Sequence, residues 1–279
     1  MNRYHFLIGF PILCLLWLSA CRDQELDMSV LNKSLFETVS FTEIEAEDAW
    51  NVTVVQDDQR TGVELEYSAF LEDYLHITND GNRLYIGFTQ RLNLPAATVK
   101  NATVYVKTIE QIDLAEAALM ALQGTFAGPR LTLKLNDAST LRGGCFQGDL
   151  EMNLDEASVV ADFTAQGSTC VLELDDASVF KGTLAATNKL SILAEDASRV
   201  TTYGGESPEA DIQLKSAGFL NVVQTPVGKM NLLVQDASEA SVNVINILEG
   251  LVHNGSKVFY QGNPTIIMDI DNSSSVYPL

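Results

Sequence analysis

The chain has 279 residues, with 17 Lys+Arg against 37 Asp+Glu and a formal net charge of −20. Hydrophobic residues make up 46% and charged residues only 19%, enough apolar content to build a core and too much for intrinsic disorder. So few, scattered bases exclude nucleic acid as a partner, because phosphate recognition needs a clustered basic surface.

Residues 1–20 read as an export signal: Arg3, then an apolar stretch from Phe6 to Leu18 that is too short for a membrane span of about 20 residues. Leu18-Ser19-Ala20-Cys21 has the form of a bacterial lipobox, in which cleavage leaves Cys21 as the acylated first residue. Several acyl chains anchor a protein durably, each buried CH₂ contributing about 0.8 kcal/mol. The competing reading is an ordinary secretory signal. Residues 21–34 then form a polar tether beginning Arg22-Asp23-Gln24-Glu25-Leu26-Asp27, which fits an outer-membrane lipoprotein exposed at the cell surface or a plain solvated linker.

Residues 35–110 carry alternating apolar runs such as Val52-Thr53-Val54-Val55, Val63-Glu64-Leu65-Glu66-Tyr67 and Thr103-Val104-Tyr105-Val106, the signature of half-buried strands. Asn79-Asp80-Gly81-Asn82 lies between His76-Ile77 and Leu84-Tyr85 and predicts a hairpin there. This section is expected to cap the first turn of a repeat array that begins at residue 111, hiding an open strand edge.

From 111 to 279 a tripeptide recurs: Asp137-Ala138-Ser139, Glu156-Ala157-Ser158, Asp176-Ala177-Ser178, Asp196-Ala197-Ser198 and Asp236-Ala237-Ser238. Degenerate copies at Glu116-Ala117-Ala118, Ser216-Ala217-Gly218, Asn254-Gly255-Ser256 and Asn272-Ser273-Ser274 complete a ladder with steps of 18 to 21 residues. Apolar columns travel with it. Ile112, Leu133, Met152, Leu172, Ile192, Ile212 and Leu232 stand four before the acid; Met120, Leu141, Val160, Phe180, Val200, Leu220 and Ala240 stand four after. The period of two is that of strands, the step of about twenty that of a repeat, and the helical period of 3.6 is missing. The chain is therefore expected to be all-β, a right-handed parallel β-helix-like solenoid whose coils rise by about 4.8 Å. The tripeptide marks a corner, with Ala expected to point inward and the acid and Ser to bond nearby amides. Cys170 falls in a core column with Leu131, Leu150 and Leu190, out of phase with Cys145, so both thiols are expected to be free.

The lipobox, the alternating section, the Gly81-Asn82-Arg83-Leu84-Tyr85-Ile86 hairpin arm and the repeats together resemble the head GIN domain, or putative auto-transporter adhesin, family over about residues 35–279. The corner that this family often fills with Gly-Ser reads mostly Asp-Ala-Ser here. The resemblance implies a right-handed β-helix-like fold and a cell-surface lipoprotein.

Catalytic patterns are few. His76 and His253 lack metal-ligand spacing, no Gly-x-Ser-x-Gly elbow or phosphate loop occurs, and Gly143-Gly144 and Gly204-Gly205 read as turns. Acids are not matched by stacked bases, the repeat region offering scattered ones such as Lys134, Lys181, Lys189 and Lys215. The chain thus reads as non-catalytic, a surface adhesion or ligand-binding module. Its alternatives are an envelope scaffold or, further off, a polysaccharide-processing β-helix. A glycan or a protein is the expected ligand, with Tyr203, Phe219, Phe259, Tyr260 and Tyr277 as aromatic contacts if exposed. The sharpest candidate site is an acidic ladder formed by the doublets Asp155/Glu156, Asp175/Asp176 and Glu195/Asp196. Like charges about 4.8 Å apart repel by about 1–3.5 kcal/mol, relieved by turn hydrogen bonds, raised carboxylate pKa values or a cation such as Ca²⁺.

Overall fold

The structure is a computed structural model and describes residues 30–37 and 40–279; Cys21 and the export signal lie outside these. It is nearly all-β, wound into a β-solenoid of about eight turns with coils of roughly 20 residues.

The leading section comprises β1 (Leu31–Glu37), β2 (Glu43–Ala46), β3 (Asn51–Gln56) and β4 (Gly62–Ser68), a 3-10 turn over Ala69–Tyr74, then β5 (Leu75–Asp80), β6 (Arg83–Phe88) and β7 (Lys100–Val106). The tether expected through residue 34 thus overlaps β1. The expected hairpin is β5–β6, antiparallel, with Asp80 opposite Arg83 across Gly81-Asn82. This section does more than cap. β2 lies between β6 and β8 (Gln111–Leu114), parallel to both, and β3 lies between β7 and β9 (Leu119–Leu135), parallel to both. The β2–β3 pair therefore forms two sides of a coil joined by a corner, earlier in sequence but deeper in the stack than the β6–β7 coil. The stack ends in antiparallel pairings, β5 on β6 and β4 on β7, with β1 outside β4, so no parallel edge is left there for another chain to extend.

The regular coils continue as β10 (Thr140–Leu154), β11 (Val159–Leu174) and β12 (Val179–Ala194), then β13 (Arg199–Thr202), β14 (Ser207–Leu214), β15 (Phe219–Asn221), β16 (Val227–Val234), β17 (Glu239–Val252), β18 (Lys257–Gln261), β19 (Thr265–Ile270) and β20 (Ser275–Pro278). All pair in parallel with the coil before, and all but β19 and β20 with the coil after. The sequence columns are the structural register: Leu133 faces Met152, Met152 faces Leu172 and Leu172 faces Ile192, while Val160 faces Phe180 and Phe180 faces Val200. Register breaks at Ala161/Phe163 and Gly167/Thr169, together with the tripeptide turn, divide the coil into three straight segments. At the second bend the coils come so close that a Cβ on Gly148, with φ of 151°, would lie 2.0 Å from the Gly128 carbonyl oxygen.

The interior holds Trp50, Phe126, Phe146, Phe163 and Phe180, all fully buried beneath the aliphatic columns. Cys170 is among them, facing Leu150 and Leu190, and burial pushes its thiol up to about 12; Cys145 is half-buried and both are free. The last coil has no successor, so Ile266 and Ile270, which continue core columns, are exposed. No helix among the described residues is long and apolar enough to cross a membrane.

Candidate functional site

Each tripeptide corner is a turn whose two central residues, the acid and the Ala, both have positive φ: 46° and 63° at Asp176 and Ala177, 45° and 64° at Asp196 and Ala197. Ser closes it, the Ser178 amide donating to the Asp175 carbonyl at 3.1 Å and that of Ser198 to Glu195 at 3.0 Å, the pattern of a primed turn. Aspartate tolerates the left-handed region better than most residues, which suits the acid to the first central position.

The turn corrects one expectation. Ala138, Ala157, Ala177 and Ala197 are exposed, while Ser139, Ser158, Ser178 and Ser198 are fully buried. Ser stands two residues after the acid, in phase with the inward columns, and the left-handed turn swings acid and Ala outward together. Inside, the Ser178 amide also reaches the Ser198 hydroxyl at 3.2 Å, and the Ser238 hydroxyl donates to the Gln235 carbonyl at 2.6 Å. The hydroxyls of Ser139, Ser158 and Ser178 themselves find no acceptor.

The acids stack along one edge as the spacing predicts. The carboxylates of Asp175, Asp176 and Asp196 lie within 4.8 Å of one another, all exposed, each able to offer one oxygen to a cation. Asp155, Asp175 and Glu195 share a groove of about 330 Å³ with Asn136. Contact with Asp137 raises the Glu156 carboxyl above its ordinary range; burial, then the charges of Asp176, Asp196 and Asp155, raise Asp175. Two devices relieve the repulsion. Asp155 Oδ1 accepts the Glu156 amide at 2.8 Å and Asp175 Oδ1 the Asp176 amide at 2.9 Å, while Lys215 Nζ, one coil on, bonds Glu195 Oε1 at 2.7 Å. Glu195 is thereby drawn out of the cluster that Asp196 joins.

The aromatic candidates do not form one face. Tyr203 and Tyr277 are half exposed; Phe259 stacks on Tyr277 at 5.9 Å at the open end, and Arg199 lies over Phe219 at 5.4 Å. His76 packs against Tyr85 with the rings tilted by 53°, and His253 Nε2 meets Asp269 at 3.2 Å; among the described residues neither joins a group of metal-binding residues.

The ladder also extends where sequence did not reach it. Asp48 and Ala49 have φ of 56° and 54°, Ala49 donates to the Glu116 carbonyl at 2.8 Å, and Trp50 closes the turn onto Glu47 at 3.2 Å. This is the same corner, at the head of the ladder. In the next coil out the corner is replaced by an eleven-residue stretch without strand, 89–99, joining β6 to β7. Beneath it opens a cleft of about 570 Å³, lined by Asp48, Phe88, Arg91, Leu92, Asn93 and Leu94 of the head and loop, with Lys100, Glu116 and Asp137 completing the wall.

The cleft's polar groups are held in place. Asp48 Oδ2 accepts the Phe88 amide at 2.9 Å, and Lys100 Nζ donates to the Asp48 carbonyl at 2.7 Å. Burial, and then the hydrogen-bonding contact with Asp48, raise the Glu116 carboxyl above its ordinary range, and burial lowers the Lys100 ammonium. Volume, mixed charge and displaced pKa values are what small-ligand sites share. Sequence reading missed this site because its walls come from segments far apart in the chain.

A family model described as "Putative auto-transporter adhesin, head GIN domain" matches residues 40–264. No curated protein matches the chain. Among solved structures it resembles a putative adhesin from Parabacteroides distasonis, with a TM-score of 0.67, 17% identity, and coverage of 90% of this chain and 97% of that one. A putative adhesin from Parabacteroides merdae gives 0.64, 13%, 89% and 96%. A protein from P. distasonis named as a putative lipid binding protein gives 0.63, 14%, 89% and 96%. At such identities the likeness is one of fold.

Proposed function

We propose, from the premise that this chain belongs to the putative auto-transporter adhesin, head GIN domain family, that it is a non-catalytic adhesion or ligand-binding module held at the cell surface by acylated Cys21. The observation that carries the reading is the cleft at the head of the corner ladder, a formed recess with convergent charged groups on an otherwise regular rod. Such a rod suits presentation: parallel coils give stiffness along one axis, and the antiparallel cap keeps the anchored end from adding strands. The lipobox at Leu18–Cys21 supplies the anchor and the tether the reach.

Labelled-palmitate incorporation and protease shaving of intact cells test the anchoring and display. Incorporation that Cys21→Ser abolishes, with digestion of the solenoid on unbroken cells, is the expected result. Full protection of residues 22–279 on intact cells overturns surface display.

A further inference from the structure

We propose that the cleft beneath the 89–99 loop is the module's ligand site and that its ligand is a short, uncharged saccharide; the proposal rests on the adhesin reading above. The lining offers both hydrogen-bond acceptors and donors. Asp48, Glu116 and Asp137 supply carboxyl oxygens; Lys100, Arg91 and Asn93 supply N–H groups. A sugar hydroxyl both donates and accepts, so neighbouring hydroxyls are matched by a carboxylate beside an ammonium or amide. Lys100 spends one donor on the Asp48 carbonyl and keeps others for a ligand. Phe88, Leu92 and Leu94 provide a small apolar surface of the kind that meets the C–H face of a pyranose.

The same lining argues against other ligand classes. A phosphorylated, sulfated or sialylated ligand would meet three carboxyl groups, and a polycation would meet Arg91 and Lys100. A lipid chain would find only Phe88, Leu92, Leu94 and two alanines, Ala49 and Ala117. An extended peptide would need a free strand edge, yet β2 is paired by β6 and β8, and β3 by β7 and β9. The volume of about 570 Å³ lies within the range of small-ligand pockets. Asp48 is fixed on two sides by the Phe88 amide and Lys100, so little ordering remains to be done on binding.

The test uses the full chain in detergent on an array of uncharged, sialylated and uronate-bearing oligosaccharides, followed by calorimetry with the best array saccharide. Uncharged saccharides should bind. Arg91→Ala combined with Asn93→Ala, both exposed on the loop, should weaken that binding by roughly tenfold or more with an unchanged melting midpoint. Glu116→Gln should weaken it as well, and Tyr203→Ala, on a different surface, should not. No saccharide binding, binding confined to charged saccharides, or binding indifferent to the loop variants overturns the proposal. Should Glu116→Gln fail to fold, the loop variants decide. Cell adhesion separates this proposal from the broader one. Displayed loop variants that still adhere overturn the cleft and leave the adhesin reading standing. Parent cells that do not adhere, although the chain binds saccharide through the cleft, support the cleft and remove the adhesin reading.

Discussion

The amide of Ala177 donates to the carbonyl oxygen of Asp196, one coil further on, at 2.9 Å, while the Ala177 side chain stands in solvent. The same bond recurs from Ala157 to Asp176 and from Ala197 to Ser216. It ties the corners into a ladder at the cost of a left-handed backbone, about 1–2 kcal/mol for an L-residue. Ala177→Gly removes that cost and gives back about 0.5–1 kcal/mol through the unfolded chain, so the variant should be up to about 1 kcal/mol more stable. Ala177→Leu has no core to overfill and should lose less than about 1 kcal/mol. Urea midpoints check both; a loss of several kcal/mol for Ala177→Leu would restore an inward alanine.

The buried serines are not equivalent. Ser158→Ala deletes a hydroxyl that has no acceptor and should be neutral or slightly stabilising. Ser238→Ala deletes a donor to the Gln235 carbonyl and should lose about 1 kcal/mol. Paired thermal melts read the contrast, and equal losses for the two would contradict this account of the inner column.

The acidic edge gives a pH signature with a definite sign. Glu156 and Asp175 have folded pKa values raised above their unfolded ones, so their contribution is fully present below the unfolded carboxylate range, near pH 4, and is lost as pH rises through the raised values. Asp175→Asn should therefore raise the melting midpoint at pH 7, with the advantage over the parent fading as pH falls toward about 4. Glu64, Glu66 and Asp271 run the other way: their lowered values stabilise above the unfolded range, and that contribution is lost in acid. If a cation bridges Asp175, Asp176 and Asp196, millimolar Ca²⁺ raises the parent's midpoint and does little for Asp176→Asn; an unchanged parent midpoint leaves solvated corners and removes the cation.

Protection should track position in the stack. Interior coils have a neighbour on each side, whereas β19 and β20 have only one, and Ile266 and Ile270 are uncovered. Amide hydrogen exchange should be slowest across β10–β12 and fastest at β19–β20. Uniform protection to Tyr277 would show that the open end is covered in solution.

Much of this fold was legible because strand register in a solenoid is repeat register. The column from Ile112 to Leu232 and the place of Cys170 could be read directly from spacing. The phase of the corner was also present, since Ser178 continues the alternation of Leu172 and Leu174; treating Ala as the inward residue overlooked that a left-handed pair turns two side chains out. The Asp48–Ala49 corner was hidden for a topological reason. Its coil is inserted between two later ones, so the fixed step from Glu116 backward does not reach it. The cleft was illegible for the same reason, being assembled from Asp48, the 89–99 loop and Glu116 only once that insertion has been made.

The central claim is that the displayed solenoid makes cells adhere. Its most direct measurement compares adhesion to a surface coated with uncharged saccharide for cells carrying the parent chain, cells lacking it, and cells displaying the combined Arg91→Ala and Asn93→Ala variant. The account predicts firm adhesion by the first and its loss in the other two. Equal adhesion by cells with and without the chain would contradict it.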